Sequence, residues 1–126
     1  DEMAAICRKE GIAFFGRDAE NIRMAEAVVL VGTKIESRGL VQCGYCGFEN
    51  CEGREDKGGA CAFDLVDLGI AIGSAVSIAA DDRVDNRIMF SAGRAAINLG
   101  LLGSEAKAVF GIPLIAKGKS IFFDRK

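Results

Sequence analysis

Apolar positions at Met3, Ile6 and Cys7 recur at helical spacing, and Gly11 follows as a stop, so Asp1 to Glu10 reads as an opening helix. Ile12 to Phe15 is a short apolar run that reads as a strand. Asp18 is placed to cap a helix from Ala19 to Met24, with Glu20 in its first turn. Ala27 to Gly32 is a continuous apolar run rich in β-branched residues, the pattern of a strand buried on both faces. Phe63 to Ala80 reads as a long helix, with Asp64 near its start and Asp67 in the first turn. Arg83-Val84-Asp85-Asn86 reads as a turn. Ile88 to Leu99 is a second helix, stopped at Gly100. Ala106 to Ile112 is a second buried strand ended by Pro113, and Ile121-Phe122-Phe123 a short final strand. Together these predict an α+β fold, a mixed sheet flanked by helices, in one domain over residues 1–126.

Gly39 to Cys61 breaks this pattern. It follows neither period, holds four of the five cysteines and six of the sixteen glycines, and carries the charged stretch Glu52 to Lys57. It is expected to be an inserted loop, residues 39–61, held by something other than an apolar core. The four cysteines stand as Cys43-x2-Cys46-x4-Cys51-x9-Cys61, and three chemistries compete for them. Disulfides fit poorly with a chain that shows no sign of secretion. Structural zinc would take four thiolates, but the last two cysteines do not form the second Cys-x2-Cys hook of a zinc ribbon. An iron–sulfur cluster, a [4Fe–4S] cube above all, needs one thiolate per iron, and a close pair, a short step and a longer reach meet that need. Glycines at 44, 47, 53, 58 and 59 would let backbone approach such a group closely. Cys43, Cys46, Cys51 and Cys61 are therefore the expected metal ligands, with an iron–sulfur cluster favoured over zinc. Cys7, among Ala4, Ala5 and Ile6, is expected to be a buried structural thiol.

The run Cys43-Gly44-Tyr45-Cys46-Gly47-Phe48-Glu49-Asn50-Cys51 resembles the opening of small four-cysteine iron–sulfur domains, which place their fourth cysteine further on than Cys61. The chain as a whole is similar to a family of bacterial and archaeal proteins containing a ferredoxin domain. The matching segments are Asp18 to Asn21, Ala27 to Gly32, Cys61 to Gly69, Arg83 to Arg87, and Gly111 to Leu114 through Ile121 to Arg125. That resemblance implies an electron-transfer or redox role with a redox partner, and an N-terminal segment upstream of Asp1. A looser resemblance, carried by Asp67-x-Gly69-x-Ala71, Leu99-Gly100-Leu101 and Gly111-Ile112-Pro113, is to nitroreductase-like flavoproteins. It implies a flavin such as FMN fed by the cluster, with Lys117 and Lys119 as candidates for its phosphate, and dimerisation through the long helix.

Composition narrows the remaining choices. Half of the 126 residues are hydrophobic and 27% are charged, a folded composition. A net charge of −2 gives no basic field for nucleic acid. The absence of histidine excludes Ser-His-Asp and Cys-His catalysis and His-ligated metals within this chain. No residue pair offers a convincing general acid and base, which leaves enzymatic activity undecided. The first twelve residues carry five charges and no apolar h-region, so no signal peptide is expected there. The longest nearly uncharged stretch, Leu68 to Ala80, falls short of the roughly 20 residues of a bilayer span. A cytoplasmic protein with no membrane partner is the expectation. The long helix is apolar nearly all round and carries Gly69 and Gly73, which predicts a homodimer that covers it.

Overall fold

The computed structural model describes residues 1–123; Asp124 and Arg125, at the end of the family-like segment, lie with Lys126 outside the described residues. Helix α1 spans Glu2–Glu10 and ends where Gly11 turns left-handed at φ 68°, the stop that the glycine predicted. Helix α2 spans Ala13–Met24, longer than expected. The run from Ile12 to Phe15 is its start and not a strand. Phe15, Ala19 and Ile22 fall at helical spacing on the core side while Phe14 points to solvent. Asp18 accordingly lies inside the helix rather than at its cap, and it is buried.

Strand β1 spans Ala27–Thr33 and strand β3 spans Ala108–Ile115, with the two-residue strand β2, Asp85–Asn86, cut from the segment read as a turn. The sheet has three strands in the order β1-β3-β2, and both strand pairings are antiparallel, so the expected mixed sheet is corrected to an antiparallel one. β1 is an edge strand with Val28 and Val29 exposed, which overturns its reading as buried on both faces. β3 is the central strand, and it runs through Pro113 rather than ending there. The proline has no N–H to give to the ladder. Its N side faces β2, and there the pairing lapses between Asn86 and the isolated Met89–Gly111 bridge, whose two hydrogen bonds are 2.8 and 3.0 Å. Ile121 to Phe123 forms a bend and turn, not a strand; Phe122 is nonetheless buried.

Alternation along β3 sorts the helices into two layers. Val109 and Ile115 face α5 (Phe90–Asn98), α1 and α2, where Met3, Phe15, Met89, Ala92 and Phe122 make the main core. Ile112, with Phe110 and Leu114 beside it, faces α4 (Ala62–Asp81). The core layer is stitched by a buried polar contact: Ser91 Oγ on α5 donates to Asp18 Oδ2 on α2 at 2.6 Å, and Arg17 holds the other carboxylate oxygen at 2.8 Å. Cys7 packs in this layer, its sulfur 3.0 Å from where a β-carbon on Gly16 would lie.

The α4 layer is thin. Only Asp64, Leu68 and Ile72 of its twenty residues are buried, while Leu65, Val66, Ile70 and Ile78 are exposed. By length and composition the helix could cross a bilayer, which corrects the reading taken from the thirteen-residue stretch alone. In this fold it lies along the sheet, with a buried carboxylate at its start.

Candidate metal centre

The insertion between β1 and α4 is fixed at both ends. On the β1 side, the backbone N–H of Glu36 donates to Asp64 Oδ2 at 2.7 Å. Arg38 places one Nη2 between Asp64 Oδ1 at 2.8 Å and Asp67 Oδ2 at 2.7 Å. Asp64 is 2% exposed, so the strap is anchored on a buried carboxylate, while Arg38 and Asp67 pair at the surface. The strap then enters tight turns. Gly44 and Gly47 sit at φ 63° and 83°, conformations that a side chain resists, and Gly47 N–H closes on Gly44 O at 2.9 Å.

Helix α3, Cys51–Asp56, follows, so the segment expected to lack regular structure contains one short helix. Asn50 caps it, Oδ1 accepting from Gly53 N–H at 2.8 Å. Gly59 returns under the Phe48 ring, where a β-carbon would come within 2.8 Å of Cε2. The chain reaches α4 with Cys61 as its N-cap, at the end of the helix that favours negative charge. Tyr45 stacks on Phe63 at 5.6 Å, tying the cysteine turn to the first turn of α4.

Cys43, Cys46, Cys51 and Cys61 all line one pocket, together with Phe48 and two arginines, Arg38 and Arg54. All four are free thiols; Cys61 is buried and the other three are half-buried. Cys7, also free, does not line the pocket. Lys117 and Lys119 sit in the exposed loop after β3 and do not line it either. Among the described residues, no three His, Cys, Asp or Glu side chains converge as ligands of a single ion. The resolved titration shifts belong to an exposed pair outside the pocket. The hydrogen bond and charge of Glu105 raise Lys34 above its usual range, and those of Lys34 lower Glu105.

The two arginines are what the sequence reading missed. Arg38 gave no signal, since it stands between a strand and a glycine without periodicity. Arg54 fell within the charged stretch Glu52 to Lys57 of the expected loop, yet it is 3% exposed. Its signal was spacing: Arg54 is three residues after Cys51, one helical turn, which returns it to the same side once α3 forms.

Residues 57–125 match the family described as "Uncharacterized protein containing a ferredoxin domain". The match takes in Cys61 and α4 but begins after Cys43, Cys46 and Cys51. An uncharacterized protein of Archaeoglobus fulgidus is 44% identical over 119 residues, an alignment that covers 88% of this chain and 64% of the relative. The chain thus spans less than two thirds of that relative's length. No solved structure matches the chain.

Proposed function

From the premise that the chain belongs to this ferredoxin-domain family, we propose that it is an iron–sulfur protein with an electron-transfer role. The observation that carries the reading is the single pocket lined by Cys43, Cys46, Cys51 and Cys61. The donor set fits. A lone tetrahedral zinc needs four donors about 2.0–2.3 Å from one point, whereas the thiolates of a [4Fe–4S] cube each take a separate iron and need only surround a common space. Four soft thiolates with no histidine are the ligands such a group uses, and a bound cluster would supply a one-electron store.

The chain's own residues do the rest. Cys61 would hold the group to the sheet-packed helix, and the other three to the glycine-rich turns and α3. Gly44 and Gly47 keep the backbone close without side-chain bulk in the way. Arg38, held by Asp64 and Asp67, fixes the strap as part of the pocket wall. Phe48 covers part of the space against water, and lower solvent access moves a cluster's potential.

Metal analysis and visible spectroscopy of anaerobically purified protein test this. Brown protein with about four irons per chain and a visible band that bleaches on reduction is expected. Colourless protein holding one zinc would sink the redox reading and leave a metal-stabilised binding module. Changing Cys43, Cys46, Cys51 or Cys61 to Ser should lose or degrade the cluster, and Cys7→Ala should keep it. Loss with Cys7→Ala but not with Cys61→Ser would remove Cys61 from the ligand set.

A further inference from the structure

We infer that Arg54 is a positioning residue of the cysteine pocket, donating its Nε–H to a sulfur of the group held there and favouring its reduced form. This deepens the iron–sulfur reading and rests on it. A guanidinium carries five N–H donors and no acceptor. Arg54 Nη1 donates to Gly59 O at 2.7 Å. Nη2 donates to Ser37 Oγ at 2.6 Å and to Glu55 Oε1 at 3.1 Å. Ser37 in turn donates to the same Glu55 oxygen, so both outer nitrogens have partners, on the strap and on the chain at and after the end of α3.

The inner nitrogen is not. Nε is buried and has no hydrogen-bond partner among the described residues. Buried polar groups are almost always paired, and a buried donor on a cation is the costliest kind to leave alone. The same side chain lines the pocket of the four cysteines. An orphaned cationic donor beside four thiols calls for a soft anionic acceptor, and thiolate or sulfide sulfur is one. Arg38 differs in burial: its side chain is 44% exposed, so its remaining donors can turn to water, whereas Arg54 is 3% exposed.

The consequence is electronic. Reduction brings one electron in from the donor and adds a negative charge next to a fixed N–H and a buried cation; Arg54 keeps its own proton and charge throughout. Hydrogen bonds to cluster sulfurs and nearby positive charge both favour the reduced state. Lysine at this position would keep the cation, but it has no N–H where Nε stands.

Full-length protein made with ¹⁵N-arginine, loaded with iron and sulfide and reduced with dithionite, gives the direct test. Pulsed electron paramagnetic resonance should show hyperfine coupling to an arginine nitrogen, retained in Arg38→Lys and absent in Arg54→Lys. In redox titration, Arg54→Lys should lower the reduced-to-oxidised ratio at a fixed ambient potential by about tenfold, a shift of about 59 mV. Absence of arginine coupling in the wild-type protein, or an unchanged potential in Arg54→Lys, overturns the assignment and leaves Nε to a water. Should Arg54→Lys fail to hold a cluster, Arg38→Lys decides: retained coupling supports Arg54, and loss of coupling overturns the assignment. Wild-type protein that takes up no iron would fail the iron–sulfur reading itself, a result distinct from a bound cluster without arginine coupling.

Discussion

Two glycines in two helices make opposite predictions for one substitution. Gly93 on α5 faces the backbone of β3, and a β-carbon there would lie 1.8 Å from Val109 O and 2.4 Å from Val109 C. Ordinary contact begins near 3.4 Å, so Gly93→Ala demands that α5 withdraw by about 1.6 Å, against backbone that cannot rotate away. The helix is not free to move. Met89 is hydrogen-bonded to Gly111 at its start, and Ala92 sits where a β-carbon on Gly111 would be 2.5 Å away. Overpacking of this kind costs about 1–3 kcal/mol and occasionally more, and alanine returns at most about 1 kcal/mol of helix propensity. A net loss of about 2 kcal/mol is expected, enough to move the urea midpoint clearly at unchanged m. Gly73 on α4 has nothing within 4 Å, so Gly73→Ala in dilute protein should gain about 0.5–1 kcal/mol. Urea titrations of both variants, followed by circular dichroism, measure the pair. Gly93→Ala as stable as wild type would refute the close α5–β3 approach on which the core layer is built.

Other outcomes follow from single contacts. Ser91→Ala strands the buried Asp18 carboxylate oxygen and should cost about 1–3 kcal/mol by the same titration; no change would mean that Asp18 is paired elsewhere. Asn50→Ala removes the α3 cap and should cost about 0.5–2 kcal/mol, with weaker iron retention, read as iron per chain after chelator challenge. We propose that a second copy of the chain covers the exposed α4 face, where Gly69 and Gly73 leave room for a helix to approach closely. Light scattering at micromolar concentration should give twice the chain mass and Gly73→Leu should halve it, while a monomer for the wild type rejects the dimer.

What the sequence made legible was local. Gly11 and Gly100 marked helix ends because both take left-handed backbone, which side chains resist. The long helix was readable from its apolar length. What failed depended on neighbours. A run of Val, Leu and Val reads as doubly buried wherever it sits, but β1 is at the edge, and edge position is set by which strand pairs with which. Pro113 reads as a stop because a ladder needs its N–H; β3 passes through it by leaving a gap in β2. Ile12 to Phe15 is too short for period two and period 3.6 to be told apart, and the helix that follows decided it.

The site divides along the same line. The four cysteines were readable because their residue type and close spacing stand out in the sequence, and spacing alone kept Cys43, Cys46 and Cys51 within one insertion. Cys61 is different. Its place at the pocket depends on Asp64, three residues further on, which reaches back across the chain to Glu36 and Arg38 and draws the strap onto the start of α4. Those contacts span 28 residues for the backbone one, a separation at which sequence carries no geometric signal. The same holds for Arg54, whose partners at Ser37 and Gly59 join both sides of the insertion. The residues that shape the pocket are therefore charged ones that any local reading assigns to solvent, and the burial of Asp64 and Arg54 follows from closing the insertion upon itself. A site built this way has a testable asymmetry. On the proposed iron–sulfur reading, substituting a cysteine would remove a ligand from a pocket that still closes, whereas substituting Asp64 would open the pocket with all four cysteines in place. Asp64→Ala should accordingly lose iron as fully as a cysteine variant while leaving all five thiols titratable, and retention of iron by Asp64→Ala would show that the strap does not hold the pocket shut.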